Sequence, residues 1–281
     1  MGNYREAVEA GGLAVVTGGA SGVGYAAAAR FAQAGLDVVL ADLPGEALGK
    51  AVAELQAANG DGVMVHGIPT DISRDEDVEA LADKVFGIGP VAVLMNNAGI
   101  GLPTKSWEAM DNWRKLLEVN LFGVLRGVHA FAPKMIEANR PAVIVNTGSK
   151  QGITTPPGNP GYNVSKAGVK VLTEQLAHEL HQVGATISAH LFVPGFTYTG
   201  MIAPHIPQKP ASAWSSEETV DYFLEKLERG DFYILCPDND VDEARDRRRI
   251  EWALQDITQN RPALSRWHPD YTEAFGEFEK P

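Results

Sequence analysis

The chain has 281 residues, 44% of them hydrophobic, which is material for a sizeable core in one large or two ordinary domains. A formal net charge of −12 sets it against phosphate backbones, so nucleic acid is not an expected partner. Its one cysteine, Cys236, excludes an intrachain disulfide, and no apolar run approaches the ~18 residues that would cross a bilayer.

The N-terminus has no basic region followed by an apolar run, so no signal peptide is expected and a cytoplasmic location follows by default. Read in chain order, LAVVT (13–17) is the first β-branched run, followed by an alanine-rich helical stretch from Tyr25 to Ala34 that Gly35 stops. DVVLAD (37–42) is again strand-like, and residues 45–58 are rich in helix formers. Strand patterns recur at 62–68, 91–96, 142–147, 186–193 and, as a seventh, FYIL at 232–235. Helical patterns fill the gaps at 75–86, at 107–136 with breaks, and at 164–183. Several strands are apolar at nearly every position, as strands covered on both faces are. The expected fold is therefore α/β: a Rossmann-type, doubly wound parallel sheet of about seven strands with helices on both faces. With no repeat and no linker, one domain over 1–281 is expected.

TGGASGVG (17–24) joins the first strand to the first helix. Glycines there let the backbone approach a pyrophosphate, and the helix N-terminus offers free N–H groups. Asp42 stands twenty residues past Gly22 at the end of the second strand. A carboxylate at that place accepts hydrogen bonds from ribose hydroxyls and repels a 2′-phosphate. No Arg or Lys lies in the loop or in 40–49 to offset it, so NAD is expected over NADP.

Tyr162 and Lys166 stand four apart in a helical segment, hence on one face. At roughly 5 Å and an effective dielectric of about 20, an ammonium would favour phenolate by about 3 kcal/mol, lowering the tyrosine pKa by about 2 units. Ser149 follows the fifth strand, where ligands bind in such sheets. Asn120 sits inside a helical run where asparagine is locally unfavourable, and NNAG (96–99) ends the fourth strand.

The glycine spacing G-x-x-x-G-x-G, NNAG, the serine and Y-x-x-x-K, in that order over about residues 13–200, resemble the short-chain dehydrogenase/reductase family. The resemblance implies a catalytic set of Asn120, Ser149, Tyr162 and Lys166. Tyr162 would exchange the substrate proton and Ser149 would hold the substrate oxygen. Lys166 would lower the tyrosine pKa and bind the nicotinamide ribose, and Asn120 would anchor a proton-relaying water. It implies cofactor contacts from Gly18, Ser21, Gly22, Val23 and Gly24, with Asp42 on the adenosine ribose. Asp71 and Ile72 would meet adenine, and Asn97, Ala98 and Gly99 the adenosine ribose. Pro194, Gly195, Thr197 and Thr199, within PGFTYT, would cradle the nicotinamide. Gly148, Lys150 and Thr197 depart from the family pattern. The implied activity is NAD-dependent interconversion of a secondary alcohol and a ketone. An NADPH-dependent carbonyl reductase and a non-catalytic NAD-binding regulator are the alternatives. Homodimers or homotetramers are the implied assembly.

The loop at about 196–214 carries Phe196, Tyr198, Met201, Ile202 and Trp214, with Pro204, Pro207 and Pro210. A loop that apolar is expected to cover an apolar or aromatic alcohol or ketone, with Gln151 and Trp107 as further substrate contacts. No metal site is expected: His178 and His181 in AHELH lack the zinc-protease spacing. Cys236 reads as a packed thiol. The basic run RDRRR (245–249) reads as a solvated, salt-bridged face. The extension at about 240–281 offers Trp267, Tyr271 and Phe275 as anchors onto its own subunit or a partner.

Overall fold

The computed structural model describes residues 3–203 and 206–280. Pro204, one of the loop prolines, lies outside the described residues. Seven strands form one parallel sheet in the order β3-β2-β1-β4-β5-β6-β7. They are β1 (Leu13–Thr17), β2 (Asp37–Asp42), β3 (Val65–Pro69), β4 (Val91–Asn96), β5 (Ala142–Thr147), β6 (Ile187–Val193) and β7 (Tyr233–Leu235). Every residue of β1, β4 and β5 is buried. Side chains alternate across the sheet, so Ala14 and Val16 join one core while Leu13 and Val15 join the other.

The first core is closed by α1 (Tyr4–Ala10), α2 (Gly22–Gln33), α3 (Glu46–Asn59) and α9 (Ser216–Glu228). The second is closed by α4 (Asp75–Ile88), α6 (Gly123–Ala138) and α8 (Pro160–Gln182). The alanines of α2 let it lie close on the sheet: Ala27 and Ala28 are fully buried beside Phe31. Shorter pieces are α5 (Met110–Leu117) and α7 (Gln151–Thr154). The C-terminal segment adds α10 (Glu243–Thr258) and α11 (Thr272–Phe278).

The structure moves several expected boundaries. The first crossover helix begins at Gly22, inside the glycine loop, because the loop supplies the helix's first turn. The third strand begins at Val65, after a 3₁₀ turn over Gly60–Gly62. The break expected in 107–136 is a π-helical turn, Glu118–Phe122, between α5 and α6. Such turns insert one extra residue and re-aim the side chains around them.

Strand order reverses at β1, between β2 and β4, and the crevice beyond the strand ends there is where ligands bind in doubly wound sheets. No helix among the described residues is long and apolar enough to cross a membrane. His178 and His181 are exposed on α8. Among the described residues no cluster of three or more His, Cys, Asp or Glu could hold a metal ion. Cys236 is buried, and desolvation pushes its thiol well above the usual range.

The basic run is only partly a solvated face. Arg245 and Arg249 both reach Glu279, holding its carboxyl down at about 2, while Asp246 turns inward and is buried. In the tail, Tyr271 and Phe275 pack edge-on against Trp252, which is buried; Trp267 stays partly exposed beside Arg266.

Candidate active site

A cavity of about 1210 Å³ opens along the C-terminal ends of β1, β2, β4, β5 and β6. That exceeds the roughly 300–1,000 Å³ of a pocket for one small ligand, leaving space for an extended dinucleotide and a second molecule. Gly18, Ser21, Gly22, Val23 and Gly24 line one stretch of it, with Asp42, Asp71, Ile72, Asn97, Ala98 and Gly99. Ser149, Gln151, Tyr162 and Lys166 line another, with Pro194, Gly195, Phe196, Thr197, Thr199 and Met201.

The glycine loop is built for close approach. Gly18 and Gly22 have φ of +65° and +55°, a region that disfavours side chains. A Cβ on Gly24 would run into the Gly18 carbonyl and the Asn97 amide. Ser21, at the N-cap of α2, makes no side-chain cap, so the helix's first N–H groups are not taken by it. The donor set suits a pyrophosphate. Asp42 is oriented by the same loop: Oδ2 accepts the Ala20 N–H at 2.9 Å and Oδ1 the Leu43 N–H at 2.8 Å. Each oxygen keeps a further lone pair for a ribose hydroxyl. These features fit a nicotinamide dinucleotide.

Two of the expected adenosine contacts have internal duties. Asp71 Oδ1 accepts from both the amide and the hydroxyl of Ser73. The Ser73 hydroxyl contributes most to holding its carboxyl below the ordinary range. Asn97 turns its Nδ2 to the Thr17 and Gly18 carbonyls, at 3.1 and 3.4 Å, and so supports the loop. Its backbone N–H and that of Ala98 donate to Thr17 Oγ1.

Helix α8 brings Tyr162 and Lys166 to the cavity. Its start is specified by Asn159, the N-cap, followed by Pro160 at the first position. Asn159 Oδ1 accepts the Tyr162 N–H at 3.4 Å and the Thr104 hydroxyl at 2.7 Å, while Nδ2 donates to the Leu102 carbonyl. Helix α7, just after Ser149, meets α8 at Gly152, where a Cβ would press on the Lys166 carbonyl. Asn159 and Thr104 were not singled out from sequence, although the Asn-Pro pair carried the cap signal.

Lys166 is buried and donates to the Thr147 carbonyl at 2.8 Å, with Nζ 5.9 Å from the centre of the Tyr162 ring. Desolvation brings its pKa down to about 8. Burial of Tyr162 pushes the phenol above its usual value, and the neighbouring Ser149 hydroxyl pulls the other way. Removing a phenolate from water is thus the larger influence on the ring in this cavity, and the Ser149 hydroxyl opposes it.

Asn120 is fully buried in the π turn. Its Nδ2 hydrogens go to the Ile100 carbonyl at 3.0 Å and Ser165 Oγ at 3.3 Å. The side chain's two donors are therefore both used within the protein.

Of the expected substrate contacts, Gln151, Phe196 and Met201 line the cavity. Tyr198, Trp214 and Trp107 do not. Tyr198 donates its hydroxyl to the Ile206 carbonyl, and Trp214 donates to Asn239 Oδ1 while packing on Tyr222. Trp107 is 80% exposed and donates its ring N–H to Glu108 Oε1. Trp214 instead closes the base of the loop, exchanging backbone hydrogen bonds with Phe196 and Tyr198.

The model of the family described as short chain dehydrogenase matches residues 12–210. A 1-deoxy-11-beta-hydroxypentalenate dehydrogenase of Streptomyces exfoliatus is 32% identical over 261 residues, 90% of this chain and 93% of that one. A short chain dehydrogenase/reductase from Burkholderia phymatum, solved in complex with NAD, superposes with a TM-score of 0.81 at 32% identity, over 90% of this chain and 96% of the other. A short-chain dehydrogenase from Sphingobium yanoikuyae, in complex with NADPH, gives 0.74 at 25% identity, over 89% and 96%.

Proposed function

The chain belongs to the short-chain dehydrogenase/reductase family, and from that premise we propose that it is an NAD-dependent enzyme interconverting a secondary alcohol and a ketone. One observation carries the reading: Tyr162, Ser149 and Lys166 line the same cavity as the glycine loop and Asp42. The chain acts as one domain in this reading.

The Gly18–Gly24 turn and the start of α2 would hold the pyrophosphate, Asp42 the adenosine ribose, and Asp71, Ile72 and Asn97–Gly99 the rest of the adenosine end. Pro194, Gly195, Thr197 and Thr199 would hold the nicotinamide end; Thr199 packs against Gly22, so one ligand can touch both. Asp42 is the ground for NAD over NADP, since a 2′-phosphate would meet its carboxylate. Bound in its oxidised form, the nicotinamide would supply the hydride acceptor and a positive charge near the phenol.

In the oxidation direction Tyr162 would take the proton from the substrate hydroxyl as the carbon–hydrogen bond gives up its electron pair. In reduction it would return that proton to the carbonyl oxygen. Ser149 would hold that oxygen, and Lys166 would sit behind the ring as the nearby cation. Burial favours the protonated phenol, which suits the reducing direction most directly. Phe196, Met201 and Ile202 give the substrate end an apolar wall beside Gln151, which favours an apolar or aromatic alcohol or ketone. The hydroxypentalenate relative, by its name, acts on a hydroxyl-bearing compound. Loop 196–214 would serve as the cover.

Exposed apolar side chains on α8 (Val164, Val171) and around α6 (Phe122, Ile136) support a homodimer or homotetramer through these helices. We place the protein in the cytoplasm.

The test is a panel of aromatic, steroid, sugar and aliphatic alcohols with NAD⁺, read by NADH absorbance, and the matching ketones with NADH. Turnover that falls by about 10²–10⁴ in Tyr162→Phe supports the assignment. Turnover undiminished in that variant ends it. Cofactor binding with no turnover on any substrate favours a regulator.

A further inference from the structure

Lys150 directly follows Ser149, and its ammonium lies 2.6 Å from Asp246 Oδ2 on α10 and 3.6 Å from Asp238 Oδ2. The three side chains are 21%, 7% and 7% exposed. Asp238 also grips the opposite wall of the cavity. Its Oδ2 accepts the Phe196 N–H at 3.2 Å, and its Oδ1 accepts the amides of Asp240 and Val241. Gly195 lies so close to the Cys236 and Pro237 carbonyls that a Cβ there would collide with them. One charge cluster therefore joins the serine turn, the 194–197 turn and the C-terminal helix.

The energetics say what such a cluster is for. Three charges largely withdrawn from water gain little stability over apolar residues of the same volume, because each loses most of its hydration. Removing Lys150, however, leaves the Asp246 and Asp238 carboxylates close together with little water, and Arg249 as the remaining cation that favours an ionised Asp246. Burial already raises the Asp246 carboxyl, and Lys150 is what chiefly opposes it. An expensive cluster set between two cavity walls, and tied to a helix outside the 12–210 segment, has geometry as its product.

We propose that Lys150 and Asp246 are a positioning pair through which α10 fixes the Ser149–Gln151 turn and, by way of Asp238, the 194–197 turn. The C-terminal extension is then part of the active-site frame and not an appendage. The proposal rests on the cavity being the oxidoreductase site, and its test is chosen to be separable from that.

Full-length Lys150→Met, Asp246→Asn and Lys150→Arg are compared by amide hydrogen exchange and by steady-state kinetics. In the first two, the amides of 151–154 and of Phe196 are expected to exchange about tenfold faster. With any alcohol that is turned over, kcat falls about tenfold, and KM for NAD⁺ rises with it because the loosened 194–197 turn would hold the nicotinamide end. Lys150→Arg, which keeps the cation, retains both properties. Faster exchange confined to 243–258, with kcat per folded molecule unchanged, would overturn the proposal, because the pair would then only fasten α10. Asp246→Asn is nearly isosteric and decides the matter if Lys150→Met does not fold. Exchange is read without turnover, so an absence of dehydrogenase activity would remove the oxidoreductase reading and leave the positioning claim to be judged on exchange alone.

Discussion

Asn120 grips the backbone of Ile100 at two points: Oδ1 accepts its N–H at 2.8 Å, and Nδ2 donates to its carbonyl at 3.0 Å. The π turn brings the side chain there, and the grip sets the path of the chain leaving β4. Gly99 lies just beneath, where a Cβ would stand 3.3 Å from Asn120 Oδ1 and 3.7 Å from Lys166 Nζ. Asn120→Leu keeps the volume and strands both Ile100 groups. We expect a loss of about 2 kcal/mol in urea denaturation. Activity should fall with it, since the Ile100 segment walls the cavity. Unchanged stability would show that water takes over both hydrogen bonds.

Asp42 holds the phosphate turn through Ala20 and faces the cavity at the same time. Asp42→Ala removes an acceptor worth roughly 1.5–3 kcal/mol and lifts the repulsion toward a 2′-phosphate. The ratio of kcat/KM for NAD⁺ to that for NADP⁺ should drop by about 10- to 100-fold. A wild-type ratio already below one would remove the NAD assignment.

The sheet was readable because its strands are apolar at nearly every position and separated by helical spacing; β1, β4 and β5 coincide with their sequence patterns to the residue. The glycine turn and the Tyr162–Lys166 pair were readable because both depend on neighbours within a few positions. What could not be read depends on burial and distance. The raised phenol of Tyr162 is a desolvation effect that no spacing reports. Asp246 looked like part of a solvated charge run until α10 turned it inward to Lys150, 96 positions away in the chain. Trp214 and Tyr198 looked like substrate contacts because the loop is apolar; their polar tips found partners within the protein instead.

That difference within the loop is testable. Phe196 lines the cavity, whereas Trp214 packs on Tyr222 behind it. Phe196→Ala should raise KM for an apolar alcohol on the order of tenfold. Trp214→Ala should leave that KM nearly unchanged and cost ~1–2 kcal/mol of stability, from the lost aromatic packing and the lost hydrogen bond to Asn239. Equal effects on KM would mean that the loop acts as one unit over the substrate.

Lys166 gives the protein an unusual dependence of stability on pH. Its pKa in the folded chain is about 8, depressed by burial from the 10.5 of the free side chain. Between those values the unfolded chain binds the proton and the native chain does not, so this group adds stability as pH rises from about 8 to about 10.5. Below pH 8 the native protein carries a buried ammonium, at a cost of roughly 3 kcal/mol relative to a neutral side chain. Lys166→Met removes that cost together with the 2.8 Å bond to Thr147. The variant should lose turnover yet melt above the wild type at pH 7, and the gap should shrink toward pH 10.5. Thermal denaturation of both proteins across that range measures it; a gap that is absent at pH 7 or grows with pH would place the lysine's charge in better solvation than its burial suggests.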